Sequence, residues 1–202
     1  VVLSIFVNPT QFSPGEDLDQ YPRDLERELK LCRDLGVQAI FAQEVEEMYP
    51  SGFQSRVQVE DLTQNLCGQY RKGHFSGVAL VVTKLFCSIR PHLAVFGEKD
   101  FQQLVVIKRL SKDLNLGVEI VAHPTVREPD GLAMSSRNKY LSAAERHSAH
   151  SLSRSLLAAR DMVAAGERRV DVLLTRAKEM IEAEPHTRIQ YVQVVDEETV
   201  SD

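Results

Sequence analysis

The stretch DGLAMSSRNKYLS, residues 130–142, places Ser135 and Ser136 directly before Arg137 at the end of a Gly-containing loop. Two hydroxyls and a guanidinium at adjacent positions suit an anion, because an arginine fork meets two phosphate or carboxylate oxygens at once. A polar linker ahead of a helix has the same composition, so the local chemistry leaves both readings open. A second stretch, FGEKD at 96–100, lies between an apolar run and a helical pattern. Gly97 would let a ligand approach the backbone, Lys99 would bring a mobile positive charge to a phosphate, and the helix start favours an anion. An ordinary strand–turn–helix connection, with Asp100 as helix cap, is the alternative. Gln103 follows one turn into that helix. A third stretch, NPTQF at 8–12, offers Asn8 and Gln11 as uncharged donors and acceptors suited to a small hydroxy acid or a ribose; a plain turn is the alternative.

Other polar groups are weaker candidates. RKGHFSG at 71–77 contains Arg71, Lys72 and His74. A histidine titrates near neutral pH and is suited to act as a base, but a capping or surface role is the simpler expectation for His74. His147 and His150 share a helical face with no third metal ligand in sight. Neither a P-loop nor a GxGxxG fingerprint occurs, and no nucleophile motif stands out.

These residues need elements to position them. Val1–Val7 reads as a strand buried on both faces, as in a parallel sheet. A helix is expected from Pro22 with Leu25, Leu29, Cys32 and Leu35 as its apolar stripe and Gly36 as its stop. Strands are expected at Val37–Ala42, Arg56–Val59, Leu93–Phe96 and Val118–Ala122. Helices are expected at His74–Ile89, ended by Pro91, and at Phe101–Leu114. This alternation predicts an α/β fold with a parallel sheet. Past Pro124 the texture changes. Ser142 and Glu145 form a capping box for a helix reaching about Ala165 with Gly166 as its stop, a second helix covers 170–184, and Ile189–Val195 reads as a strand. The expected domains are 1–125 and a smaller α+β domain, 126–202.

Composition sets outer bounds. The chain has 202 residues, 43% of them hydrophobic, and a net charge of −5. That charge argues against a duplex-DNA binder. No run reaches the about 18 apolar residues of a membrane span, and the apolar start lacks the basic leader of a signal peptide. Cys32, Cys67 and Cys87 stand far apart without metal-ligand spacing and read as buried thiols of a reducing compartment. Since Val1–Val7 looks like the interior of a domain, residues before Val1 are expected.

Together, NPTQF, YPRDLE, GHFSGVALVVTKLF, FGEKDFQQL and PTVREPDGLAMSSRNKYLS, in this order, resemble the pantoate–β-alanine ligase family along essentially the whole chain. The resemblance implies a Rossmann-like adenylyl-transferring fold and a two-step reaction. ATP and pantoate form pantoyl adenylate with release of pyrophosphate, and the β-alanine amine then displaces AMP. It also implies Mg²⁺ with the ATP, a cytoplasmic location and a homodimer. By resemblance, Gln11 binds pantoate and later β-alanine, Gln103 binds pantoate, Asn8 lines the same pocket and Arg71 borders it. Gly97, Glu98, Lys99 and Asp100 hold ATP, Val126 meets the adenine end, and Met134, Ser135, Ser136 and Arg137 form the loop that clamps the triphosphate. Lys99, Ser135, Ser136 and Arg137 are the residues expected to take part in catalysis. The family's histidine-bearing HxGH-type segment has no counterpart within Val1–Asp202, nor do its last strands. Little or no ligase activity is therefore expected of these 202 residues alone. The alternatives are another adenylyltransferase of the same superfamily, or an inactive binding remnant.

Overall fold

The computed structural model describes residues 1–202. In chain order the elements are β1 (Val2–Ile5), α1 (Leu25–Asp34), β2 (Ala39–Ala42), α2 (Val45–Met48), α3 (Cys67–Tyr70), α4 (His74–Ile89), β3 (Leu93–Gly97), α5 (Phe101–Asp113), β4 (Glu119–His123), α6 (Ala143–Ala164) and α7 (Val170–Glu182). The alternation of strands and helices up to β4 makes this an α/β protein. Hydrogen bonding joins the strands in two pairs, β1 with β2 and β3 with β4, rather than in one continuous sheet. In the first pair the strands are parallel, with Val2 opposite Ala39 and Ile5 opposite Ala42. Contacts group the chain into two compact units: Val1–Phe96 with Gln102–Val121, and Gly97–Phe101 with Ala122–Asp202.

The core of the first unit is built around α4. Its valines suit a strand as well as a helix by local preference. Burial decides for the helix, since Phe75, Val78, Ala79, Leu80, Val81, Val82 and Phe86 are all buried and a helix apolar on most sides can only be a core helix. Val78, Val81, Val82 and Phe86 pack with Met48, Ile107, Leu110 and Val118. Each such side chain contributes about 1.5–3 kcal/mol by leaving water. Ile107 and Leu110 belong to the apolar face expected for α5; Leu114, expected on the same face, lies beyond the helix end and is 48% exposed.

Several expectations are corrected. β1 is not buried on both faces: Val2 and Leu3 are 47% and 41% exposed, because one neighbouring strand is all that pairs with it. Pro22 does not open α1. Asp24 does, its carboxylate accepting the Arg27 amide at 3.1 Å. Of the apolar stripe on α1, Cys32 is buried while Leu25, Leu29 and Leu35 remain exposed. Arg56–Val59 is not a strand, since side chains rather than a neighbouring strand take its carbonyls: Ser76 donates to Val57 at 2.9 Å and Thr63 to Val59 at 2.7 Å. Ile189–Val195 also forms no strand, as no other segment pairs with it. Among the cysteines, Cys87 is exposed rather than buried.

The second unit follows its local signals more closely. Ser142 accepts the Glu145 amide at 3.3 Å while Glu145 accepts the Ser142 amide at 2.9 Å, which closes the capping box of α6. Gly166, with φ of 102°, ends that helix in a left-handed conformation open mainly to glycine. Helices α6 and α7 pack together, with Ser148, Ser151 and Ser155 the buried residues of α6 and Leu173, Ala177 and Ile181 those of α7. Small residues on α6 let the two backbones come close. No helix is long and apolar enough to cross a membrane.

Candidate functional site

Within the first unit the polar residues converge on the turn after β1. Pro9–Gln11 form a single 3-10 turn capped by Asn8. Asn8 is only 2% exposed, and its carboxamide is fully engaged inside the protein. Its Oδ1 accepts from the Tyr49 hydroxyl at 2.8 Å, the Thr10 hydroxyl at 2.9 Å and the Thr10 amide at 3.3 Å. Its Nδ2 donates to the Gly77 carbonyl at 3.1 Å and to Gln11 Oε1 at 3.2 Å. Asn8 was expected to line a substrate pocket; the structure gives it a supporting position, and the half-buried Gln11 is the member of the pair nearer solvent.

The turn lies against α4 at Gly77. A Cβ on Gly77 would fall 2.3 Å from the Thr10 carbonyl oxygen and 2.6 Å from the Gln11 nitrogen, so nothing larger than hydrogen fits. His74, expected as a capping or surface residue, is buried at 6% exposure. Its Nδ1 lies 2.8 Å from the Gln11 carbonyl and its Nε2 3.1 Å from Arg71 Nη1. Arg71 in turn forks onto Glu16, with Nε to Oε1 at 2.8 Å and Nη2 to Oε2 at 2.7 Å. Glu16 and Tyr49 are the residues that reading the sequence missed, because their partners Arg71 and Asn8 lie 55 and 41 residues away in the chain. Beside the turn opens a cleft of about 1030 Å³ whose lining includes Thr10, Tyr49, Phe53, Arg71, Phe75 and Gly77. Lys84 Nζ lies 4.9 Å from the Phe53 ring centre and 5.9 Å from that of Tyr49, a cation–π contact that steadies these rings. Gln103 is half-buried in the first turn of α5. Its neighbour Gln102 is buried and donates to the Leu62 and Asn65 carbonyls at 2.9 and 2.8 Å.

The pair between Arg71 and Glu16 predicts an acid sensitivity. The Arg71 guanidinium, through its hydrogen bonds, holds the Glu16 carboxyl below its ordinary value of 4.5. A carboxyl lowered on folding stabilises the fold fully above its ordinary value, and that contribution is lost as pH falls through the lowered value. Between pH 7 and pH 3 the wild-type protein is therefore expected to lose more Tm than Glu16→Gln, by roughly 2–4 °C. Equal losses in thermal melts across that range would show the pair to be energetically idle.

The remaining candidate residues belong to the second unit. Gly97 leads into a 3-10 turn, Glu98–Asp100, that runs into α5 without a break. Asp100 is therefore not the cap of α5; its carboxylate lies 3.5 Å from Lys99 Nζ. Residues 126–134 form a small hairpin in which Arg127 bridges Ala133 and the Met134 amide donates to the Val126 carbonyl at 2.9 Å. Val126 and Met134 are 51% and 56% exposed. Ser135 caps the following 3-10 turn, Ser136–Tyr140, by accepting the Arg137 amide at 3.2 Å.

The loop is anchored from below. Asn138 donates to the Ala133 carbonyl at 3.0 Å and to Glu128 at 2.5 Å. Arg146 on α6 donates to Glu128 at 2.6 Å and to Asp130 at 2.7 Å, and His150 lies 3.4 Å from Asp130. Hydrogen bonds from Asn138 first, then Arg146, keep the Glu128 carboxyl below its ordinary range. Ser135, Ser136 and Arg137 thus sit in a capped turn that Asn138 ties back to the braced hairpin, not on a loose linker.

The α/β framework thus carries polar turns at its strand ends and a Ser-Ser-Arg turn tied to a braced hairpin. The family model for pantoate-β-alanine ligase matches residues 1–202. This chain belongs to that family. It is 55% identical over 202 residues to a pantothenate synthetase of Syntrophobacter fumaroxidans and 54% identical over 200 residues to one of Moorella thermoacetica; it spans 71% of each relative's length. Its fold superposes on the crystal structure of the Thermus thermophilus pantothenate synthetase with a TM-score of 0.96 at 52% identity, covering 99% of this chain and 72% of that one. The pantoate-β-alanine ligase of Francisella tularensis, solved with β-γ ATP and β-alanine, matches with a TM-score of 0.79 at 32% identity over 97% of this chain and 71% of that one.

Proposed function

We propose that the chain carries the substrate-binding residues of an ATP-dependent ligase that joins pantoate to β-alanine through a pantoyl-adenylate intermediate, releasing pyrophosphate and then AMP. The observation that carries this reading is the family match along the full length, residues 1–202. The residue roles are those that the resemblance to the family implies. Gln11 and Gln103 bind pantoate, Gln11 later binds β-alanine, and Arg71 borders their pocket. Asn8 acts on substrate through Gln11. Gly97, Glu98, Lys99 and Asp100 hold ATP, Val126 meets its adenine end, and Met134, Ser135, Ser136 and Arg137 clamp its phosphates. Residues 1–125 form the Rossmann-like domain that binds nucleotide and pantoate, and 126–202 the smaller α+β domain. The protein is a cytoplasmic homodimer.

Attack of the pantoate carboxylate on the α-phosphate spreads negative charge over the phosphate oxygens. Lys99 and Arg137 stabilise that charge, so the first step is mainly positioning and electrostatics. The second step needs an uncharged amine held against the activated acyl group with water excluded. Neither step requires a side-chain nucleophile. Mg²⁺ would arrive on the ATP phosphates, with Glu98 and Asp100 as the acids of the ATP turn. Bound there, the ion would supply positive charge against the leaving pyrophosphate.

Titration calorimetry on the 202-residue chain tests the reading. ATP and pantoate are each expected to bind, with pantoate preferred over a second nucleotide. No heat from pantoate at any ATP concentration, or tighter binding of a second nucleotide, would favour a different adenylyltransferase.

A further inference from the structure

We propose that His74, Tyr49 and Asn8 are positioning residues that fix which end of the Gln11 carboxamide meets a substrate. The inference rests on the reading that Gln11 touches substrate. It starts from two groups whose roles admit no choice. The Thr10 amide can only donate, and it faces Asn8 Oδ1 at 3.3 Å; the Gly77 carbonyl can only accept, and it faces Asn8 Nδ2 at 3.1 Å. These two backbone groups orient the Asn8 amide. Tyr49 must then donate to Oδ1, and burial, which pushes its phenol upward, keeps the hydroxyl protonated.

With Asn8 oriented, its Nδ2 also donates to Gln11 Oε1 at 3.2 Å. The oxygen of Gln11 is therefore held by the protein, which leaves its Nε2 hydrogens for another partner. The main chain of Gln11 is fixed by the same logic. Arg71 can only donate, so His74 Nε2 accepts from it, and the imidazole proton sits on Nδ1 and is given to the Gln11 carbonyl at 2.8 Å. Glu16 holds Arg71 in place through the two-pronged pair.

The Gln11 carboxamide thus has its nitrogen end free to donate. It selects an oxygen, whether carboxylate, carbonyl or hydroxyl, and rejects an ammonium. β-Alanine would meet Gln11 with its carboxylate, leaving the amine free for the acyl group.

The test uses the ¹⁵N-labelled 202-residue chain. In the free protein, imidazole ¹⁵N shifts are expected to show His74 protonated on Nδ1 and bare on Nε2. Pantoate affinity is expected to fall about tenfold in Asn8→Asp and His74→Phe. It is expected to stay near wild type in His74→Asn, which keeps a donor where Nδ1 stood. ATP affinity should not change in any of the three. Gln11→Glu should bind pantoate more weakly than Gln11→Ala, because a carboxylate would face the anion. A proton on His74 Nε2, wild-type affinity in His74→Phe, or tighter binding in Gln11→Glu than in Gln11→Ala each overturns the proposal. Should His74→Phe fail to fold, the free-protein shifts and His74→Asn still decide. The Nδ1 tautomer in a wild-type chain that ignores pantoate would uphold the positioning and overturn the functional reading instead.

Discussion

Gly77→Ala is expected to lower stability by about 3 kcal/mol or more and to abolish pantoate binding. Replacing a glycine inside a helix by alanine normally stabilises by roughly 0.5–1 kcal/mol. Here the sign reverses. The added Cβ would stand 2.3 Å from the Thr10 oxygen, 2.5 Å from the Thr10 carbonyl carbon and 2.6 Å from the Gln11 nitrogen. All three are backbone atoms, so no side chain can swing aside. Either α4 or the turn must move, and both moves stretch the hydrogen bond from Asn8 to the Gly77 carbonyl. Gly73→Ala is the control. Its φ of 82° makes a side chain costly by about 1–2 kcal/mol, but nothing lies within 4 Å of the added carbon, so binding should survive. Denaturant melts and pantoate titrations on the two variants separate the effects. A Gly77→Ala protein as stable as wild type would mean the close approach is not real.

Arg137→Ala is expected to weaken ATP binding about tenfold to a hundredfold. A hydrogen bond to a charged partner is worth about 1.5–3 kcal/mol, and an arginine fork on phosphate supplies two. Arg137→Lys should recover only part of the loss, since an ammonium keeps the charge without the fork. Pantoate affinity should stay the same, as Gln11 and Gln103 belong to the other compact unit. Calorimetry with ATP on the three proteins measures this. If Arg137→Ala binds ATP like wild type, the hairpin is not the phosphate clamp, and the braced loop needs another explanation.

The sequence was most legible where structure is made by near neighbours. The capping box of Ser142 and Glu145, the stop at Gly166 and Leu104, Ile107 and Leu110 on the apolar face of α5 all lie within a turn or two of the elements they define, and all appear in the structure. Arg56–Val59 and Ile189–Val195 had strand-like composition, but a strand also needs a partner, and composition does not supply one. The candidate site divides in the same way. NPTQF, GEKD and the Ser-Ser-Arg stretch stood out by residue type. The roles of Asn8 and His74 did not, because their contacts reach 69 and 63 residues along the chain. The burial of Gln102 likewise depends on the Leu62 and Asn65 carbonyls, which only the folded chain brings to α5.

The bond between Asn8 and Gly77 also has a consequence in time. The residues that would grip substrate come early in the chain, but they have no defined shape until a helix made some seventy residues later has docked. Closing so long a loop is entropically costly and is repaid only when the surrounding core forms with it. A half-made or half-unfolded chain therefore holds the sequence NPTQF without its grip. Affinity for the small acid should appear late in refolding and vanish early in unfolding, which makes pantoate a reporter of whether α4 has reached its place.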